Sequence, residues 1–146
     1  MWALGVDFIM PGKSSTNLTY KYSDLTARII RCAMNVHSVL SNGYPEKMYQ
    51  RALAVEFKCA GIPFDIESER QVYYKDNWIG GRRPDFVVFD KISVELKAIV
   101  DLRNSDLAQA INYLESRNLE IGLLLNFGAR SLQFKRLTNR KFKPPA

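Results

Sequence analysis

Histidine and cysteine are scarce in this 146-residue chain, which has one histidine and two cysteines. It cannot build a four-ligand zinc or iron–sulfur centre unaided, and neither group is expected. Cys32 and Cys59 each fall inside a helical pattern and read as reduced core residues rather than a disulfide. No run approaches the roughly 20 apolar residues of a membrane helix. The opening MWALGVDFIM is apolar, but it carries Asp7 and no basic flank, so it makes a poor signal peptide. Met10 is an alternative start. The expected setting is cytoplasmic, with no membrane partner. Internal repeats and low-complexity segments are also missing.

What is present suits one globular core: 47% hydrophobic and 25% charged residues, at a length that buries a substantial interior. Lysine and arginine number 21 against 15 acids, a net charge of +6. That surplus is compatible with simple solubility and favours polyanionic partners.

Punctuation and periodicity divide the chain. Residues 1–22 read as an N-terminal arm, polar and loop-like at PGKSSTN. A domain follows over 23–137, then a basic tail over 138–146. Ser23 is placed as an N-cap, and Leu25, Ile29, Ala33, Val36 and Leu40 follow at helical spacing. Ser41-Asn42-Gly43 closes that helix. Pro45 suits the first position of a second helix with the stripe Tyr49, Leu53 and Phe57, ending at Gly61 before Pro63. The period then changes. Ile66–Tyr74 and Trp78-Ile79 read as strands around an Asp76-Asn77 turn. Phe86–Phe89 and Ser93–Val100 form a second pair around Asp90-Lys91. Ser105 caps a third helix with the stripe Leu107, Ile111 and Leu114, and Ile121–Leu125 reads as a strand buried on both faces. Strand–helix–strand implies a parallel crossover, hence an α/β or α+β class with one mixed sheet.

Charges interrupt one strand that should be apolar. In Val94-Glu95-Leu96-Lys97, Glu95 and Lys97 share a face, roughly 6.6 Å apart along the strand. Asp85, just after Pro84, opens the neighbouring strand and can meet Glu95 across the hairpin. Two converging carboxylates repel unless a cation lies between them, and Mg²⁺, which prefers oxygen ligands, is the usual answer. A lysine beside them can orient water or stabilise charge on a phosphate. Arg82 and Arg83, with Lys135, Arg136 and Arg140 near the C-terminus, are candidate nucleic-acid contacts. Lys141 and Lys143 add to that basic end. Tyr73, Tyr74 and Trp78 either stack on bases or pack along their hairpin. His37, inside the first helix, reads as structural.

Pro84-Asp85 with Glu95-Leu96-Lys97 resembles the core of the PD-(D/E)xK (RecB-like) nuclease superfamily, and more closely its bacterial GxxExxxR branch. The resemblance runs from about Leu25 to Leu137. It takes in Gly43-Tyr44-Pro45-Glu46, Tyr49-Gln50-Arg51-Ala52-Leu53, Gly61-Ile62-Pro63, Gly80–Phe86 and Ile121–Gly128. Laid from Gly43 and Glu46, the branch's name motif ends on Gln50 rather than arginine, with Arg51 next. The resemblance implies a restriction-endonuclease-like core: a central mixed four- to five-stranded sheet flanked by helices, in the order ααβββ(β)αβ. It implies Asp85, Glu95, Lys97 and Glu46 as the catalytic set. Asp85, Glu95 and Glu46, helped by the Leu96 carbonyl, would hold Mg²⁺ or Mn²⁺. Glu46 also continues the Tyr49–Leu53–Phe57 stripe. Gln109 and Tyr113, four apart on one helix face, resemble the Q-x-x-x-Y element that lies beside such sites and orients substrate or a catalytic group.

The expected function is phosphodiester hydrolysis by metal-activated water, with DNA favoured over RNA as substrate. A non-catalytic or partner-dependent nucleic-acid-binding accessory protein is the alternative. A homodimer or a protein partner is left open.

Overall fold

The computed structural model describes residues 6–8, 21–66, 70–82 and 85–146. The apolar stripes become the buried faces of two packed helices, α1 (Ser23–Leu40) and α2 (Glu46–Cys59). Ile29, Ala33 and Val36 of α1 are buried, and Tyr49, Leu53 and Phe57 of α2 are wholly so. Both starts fall one residue from expectation. Ser23 is the first helical residue of α1, behind Tyr22 in a left-handed conformation (φ 61°). Pro45 is the N-cap of α2 rather than its first residue. At the other end of α2, Gly61 takes φ 68°. Gly61 N–H donates to Lys58 O at 3.2 Å and Ile62 N–H to Phe57 O at 2.9 Å, the paired bonds of a Schellman stop.

The strands are β1 (Val6–Phe8), β2 (Phe64–Asp65), β3 (Arg70–Tyr74), β4 (Asn77–Arg82), β5 (Phe86–Val88), β6 (Ile92–Lys97), β7 (Ile121–Asn126) and β8 (Gln133–Thr138). Helix α3 (Asn104–Arg117) links β6 to β7. Six strands form one sheet in the order β1-β8-β7-β6-β5-β2, with β6 and β7 parallel and the other pairs antiparallel. This is the mixed α+β architecture anticipated, with the crossover made by α3.

Several details differ from the sequence reading. The β3–β4 hairpin stands apart as a two-stranded ribbon, and Tyr73, Tyr74 and Trp78 on it are each 62% exposed rather than packed along it. Its turn falls on Lys75-Asp76, and that of β5–β6 on Phe89-Asp90, one residue early in both cases. All four residues have positive φ, as turns matching strand twist require. Strand β8 is not among the strands read from the sequence; it closes the expected domain and reaches one residue, Thr138, into the expected tail. Within the arm, β1 pairs with β8 in the register Val6↔Leu137, Asp7↔Arg136 and Phe8↔Lys135. Cys32 is buried, whereas Cys59 ends α2 exposed, and both thiols are free. Among the described residues, no helix is long and apolar enough to cross a membrane.

Hydrophobic residues cover both sheet faces. Ile92, Val94 and Leu96 of β6, with Leu123 and Leu125 of β7, meet α1 and α2. Leu124 and Leu137 pack with Leu107, Ala110 and Leu114 of α3. The crossover leaving β6 is pinned by Asn126, which is fully buried at the end of β7. Its Nδ2 donates to Ile99 O at 2.9 Å, and its Oδ1 accepts from Ile99 N at 3.0 Å and Gly128 N at 3.1 Å. Gly128 is the mechanical partner of this clamp. A Cβ there would fall well inside 3.0 Å of the Ile99 backbone N and O and the Ala98 carbonyl carbon. Backbone cannot swing aside as a side chain would, so Gly128→Ala should cost about 3 kcal/mol or more. Urea unfolding measures this, and an unchanged midpoint would refute the clamp.

Candidate active site

Strand β6 lies between β5 and β7, in the middle of the sheet rather than at an edge. Its alternation puts Ile92, Val94 and Leu96 into the α1–α2 core. Glu95 and Lys97 face the other way, toward α3, and are half-buried. A central strand ordinarily keeps charge off both faces. Here the charged face lines a cavity of about 350 Å³, together with Glu46, Gly81, Asp85, Asp106 and Gln109.

Hairpin register brings Asp85 and Glu95 together. Phe86 pairs with Val94, so Asp85, the next residue out, stands beside Glu95. The Asp85 carboxylate is buried and accepts the Leu96 backbone N–H at 2.7 Å. Leu96 thus enters the cavity wall through its backbone, while its side chain sits in the core. Glu46 reaches the same cavity from the first turn of α2. Much of its side chain is open to solvent, but its surroundings in the cavity mouth are poorly hydrated. That desolvation pushes its carboxyl above the ordinary value, and the positive charge of Lys97 pulls partly back. Pro84 and Arg83 lie outside the described residues.

Lys97 is held from α3. Its Nζ donates to Gln109 Oε1 at 3.2 Å and stands 3.9 Å from Asp106 Oδ1. The Gln109 bond is the closer of the two. Tyr113, one turn further along α3, is buried and does not line the cavity. The structure therefore joins Asp85, Glu95, Lys97, Glu46, Leu96 and Gln109 around one space and sets Tyr113 behind it.

Asp106 is a participant that the sequence reading missed. Only 2% exposed, it accepts the Arg103 backbone N–H at 2.9 Å and pairs with that guanidinium at 3.2 Å. It closes the first turn of α3 in the place given to Ser105, since α3 begins at Asn104 with Arg103 as N-cap. Burial alone would raise its pKa. Hydrogen bonds and charge from Arg103, helped by Lys97, more than offset that and hold the carboxyl below the ordinary range. The available signal was its spacing, three residues before Gln109 on the face that meets Lys97.

The basic candidates divide. Lys135 and Arg136 are buried in β8, at 5% and 2% exposure, which removes them from a surface a polyanion could reach. Burial pushes the Lys135 ammonium below its usual value, with Asp101 acting in the opposite direction. Arg136 Nη2 donates to Lys21 O. Arg140 is exposed beyond β8. Arg82 ends β4; its side chain, like Arg83, lies outside the described residues. His37 Nε2 donates to Ala129 O at 3.0 Å and ties α1 to the chain after β7, away from the cavity.

Among the described residues, four carboxylates, Glu46, Asp85, Glu95 and Asp106, thus line the cavity against a single lysine, and Arg103 pairs with Asp106. An all-oxygen, acid-rich lining suits a hard divalent cation. Among the described residues, no three acids form a ready-made metal cluster.

The depressed pKa of Asp106 has a consequence for stability. Its ionised form stabilises the fold above the ordinary carboxylate range, and that contribution is lost as pH falls through its lower folded-state value. Asp106→Asn, which keeps shape but not charge, should cost about 1 kcal/mol near neutrality. The gap should close on acidification. Urea unfolding at neutral and acid pH tests this, and a gap independent of pH would contradict it.

A family model described as the PD-(D/E)XK nuclease superfamily matches residues 23–137. No curated protein and no solved structure matches the chain significantly. The matched span runs from α1 to Leu137 in β8 and contains every residue of the acidic cavity. Members of this superfamily of phosphodiesterase nucleases generally use Mg²⁺ or Mn²⁺. Four-fifths of the length matches, and the charged face of the central strand is built on that framework: the chain belongs to the PD-(D/E)XK nuclease superfamily.

Proposed function

We propose that the protein is a Mg²⁺- or Mn²⁺-dependent nuclease, of the GxxExxxR branch, acting on DNA in the cytoplasm. One observation carries this reading: Asp85, Glu95, Glu46 and Lys97 line a single cavity built on a central strand. Nothing about sheet stability asks for the charges of Glu95 and Lys97 on a central strand.

Asp85, Glu95 and Glu46 would hold the ion, with the Leu96 carbonyl as a further oxygen. The lack of a ready-made three-acid cluster is consistent with magnesium, which keeps several waters and commonly takes one or two carboxylates plus substrate phosphate oxygens. When bound, the ion would supply Lewis-acid stabilisation of phosphate charge and lower the pKa of water. Asp85 is fixed for its part by the Leu96 N–H. Raising the Glu46 pKa keeps that carboxyl responsive to an arriving positive charge, because a desolvated acid gains most from one. Lys97 places its ammonium at the cavity wall, where it can donate to a phosphate oxygen or to water. Gln109 accepts one Lys97 proton and so sets the direction of the other two.

The test uses wild type, Glu95→Ala and Lys97→Ala with single-stranded, duplex and branched DNA and with RNA, in Mg²⁺, Mn²⁺ or EDTA. Cleavage by wild type, absent in EDTA, is expected. Both variants should fall by roughly 10²-fold or more with unchanged circular dichroism. Equal cleavage by Glu95→Ala would end the assignment. Salt-sensitive binding without cleavage under any condition would turn the reading to the accessory alternative.

A further inference from the structure

A second concavity, of about 360 Å³, runs along the outer face of α2 and carries Lys47, Arg51 and Lys58 with Gln50, Val55 and Ile66. Among the described residues, no carboxylate lines it. The one acid further along α2, Glu56, faces α1, where Asn35 reaches its carboxylate at 3.5 Å. All three cations are exposed. Their spacing sets them along one helix face over about 16 Å, the rise of eleven residues. The row starts beside the catalytic cavity, because Glu46, the residue before Lys47, lines that cavity.

We propose that this face of α2 is a phosphate-binding track that guides a nucleic-acid strand to the cavity mouth. The choice of partner rests on the nuclease reading of the cavity; the groove itself rests on its own charge and shape. Three like charges in a row suit a linear polyanion, whose phosphates recur every 3.4 Å of axis on each strand. A neutral or cationic partner would leave them repelling one another. The cavity supplies the complementary reason. Its acids repel a polyanion, so attraction must come from outside it, and α2 is the element that spans both. Gln50, 7% exposed on this face, offers a neutral donor among the cations without opposing charge.

Binding is measured by fluorescence anisotropy in EDTA, with a labelled single strand and its duplex, over a salt series. The variant Lys47→Gln/Arg51→Gln/Lys58→Gln is compared with Arg31→Gln/Lys91→Gln/Arg130→Gln. The second set removes the same charge from other exposed positions. The α2 variant should bind about tenfold or more weakly at low salt. Its slope of log K against log salt should flatten by about two, at roughly 0.7–0.9 per lost contact. The second variant should stay near wild type.

Equal losses from both variants, or none from either, would overturn the track. Binding by wild type to anionic phosphatidylserine vesicles but to neither nucleic acid would overturn it as well. Hydrolysis of bis(p-nitrophenyl) phosphate by wild type in Mn²⁺ reads the cavity alone. Its failure counts against the nuclease reading, while the salt slopes still decide the groove.

Discussion

The bond from the Leu96 N–H to the Asp85 carboxylate, buried and 2.7 Å long, is the interaction on which the site depends. Strand β5 begins at Phe86, opposite Val94. The Leu96 N–H therefore lies beyond the last rung that β5 can supply. An unsatisfied buried donor costs about 1–3 kcal/mol, and the Asp85 side chain prevents that loss. The same carboxylate stands beside Glu95 at the cavity wall. Completion of a β-ladder and placement of an acid in the site are thus one requirement. Substituting Asp85 would disturb both, so loss of activity there would not by itself separate chemistry from folding.

The other half of the site arrives by the crossover, and its accuracy comes from β7. Asn126 satisfies both backbone groups of Ile99, and Gly128 allows the two chains to touch. Gln133 adds to this from β8, accepting the Leu102 N–H at 3.2 Å and donating to Asp101 at 2.7 Å. The segment from β6 to α3 is held along its length rather than at its ends. That matters because Gln109 and Asp106 meet Lys97 from α3. A bond of 3.2 Å between side chains on different elements survives only if those elements cannot slide.

Much of this was legible in the sequence, for reasons that name its limits. The stripes of α1 and α2 and the apolar run of β7 answer to one dominant force, burial, and burial writes a period into the chain. The Glu95–Lys97 alternation was legible because charge on a buried strand breaks that period. Strand β8 was not. Phe134 and Leu137 lie on opposite faces, and Lys135 and Arg136 between them read as tail charge, although both are buried at the sheet's flank. Asp106 escaped for a different reason: Ser105 beside it is an equally good N-cap by propensity. Only the tertiary position of Lys97 and Arg103 makes the aspartate the residue that closes the turn. The β3–β4 ribbon was read correctly as a hairpin, but pairing between distant strands leaves no local mark that would have excluded it from the main sheet.

Charge in this protein is segregated, and the segregation explains why a net charge of +6 says little about the site. Among the described residues the cavity is acidic, with four carboxylates against one lysine. The outer face of α2, one residue away from Glu46, carries three cations and, among the described residues, no carboxylate. A phosphodiester entering the cavity alone would meet repulsion, and a cation entering alone would meet attraction. Under the proposed function, metal and nucleic acid would favour each other's binding there, each neutralising what the other meets. The raised pKa of Glu46 has a separate cause, desolvation at the cavity, which the positive charge of Lys97 partly offsets.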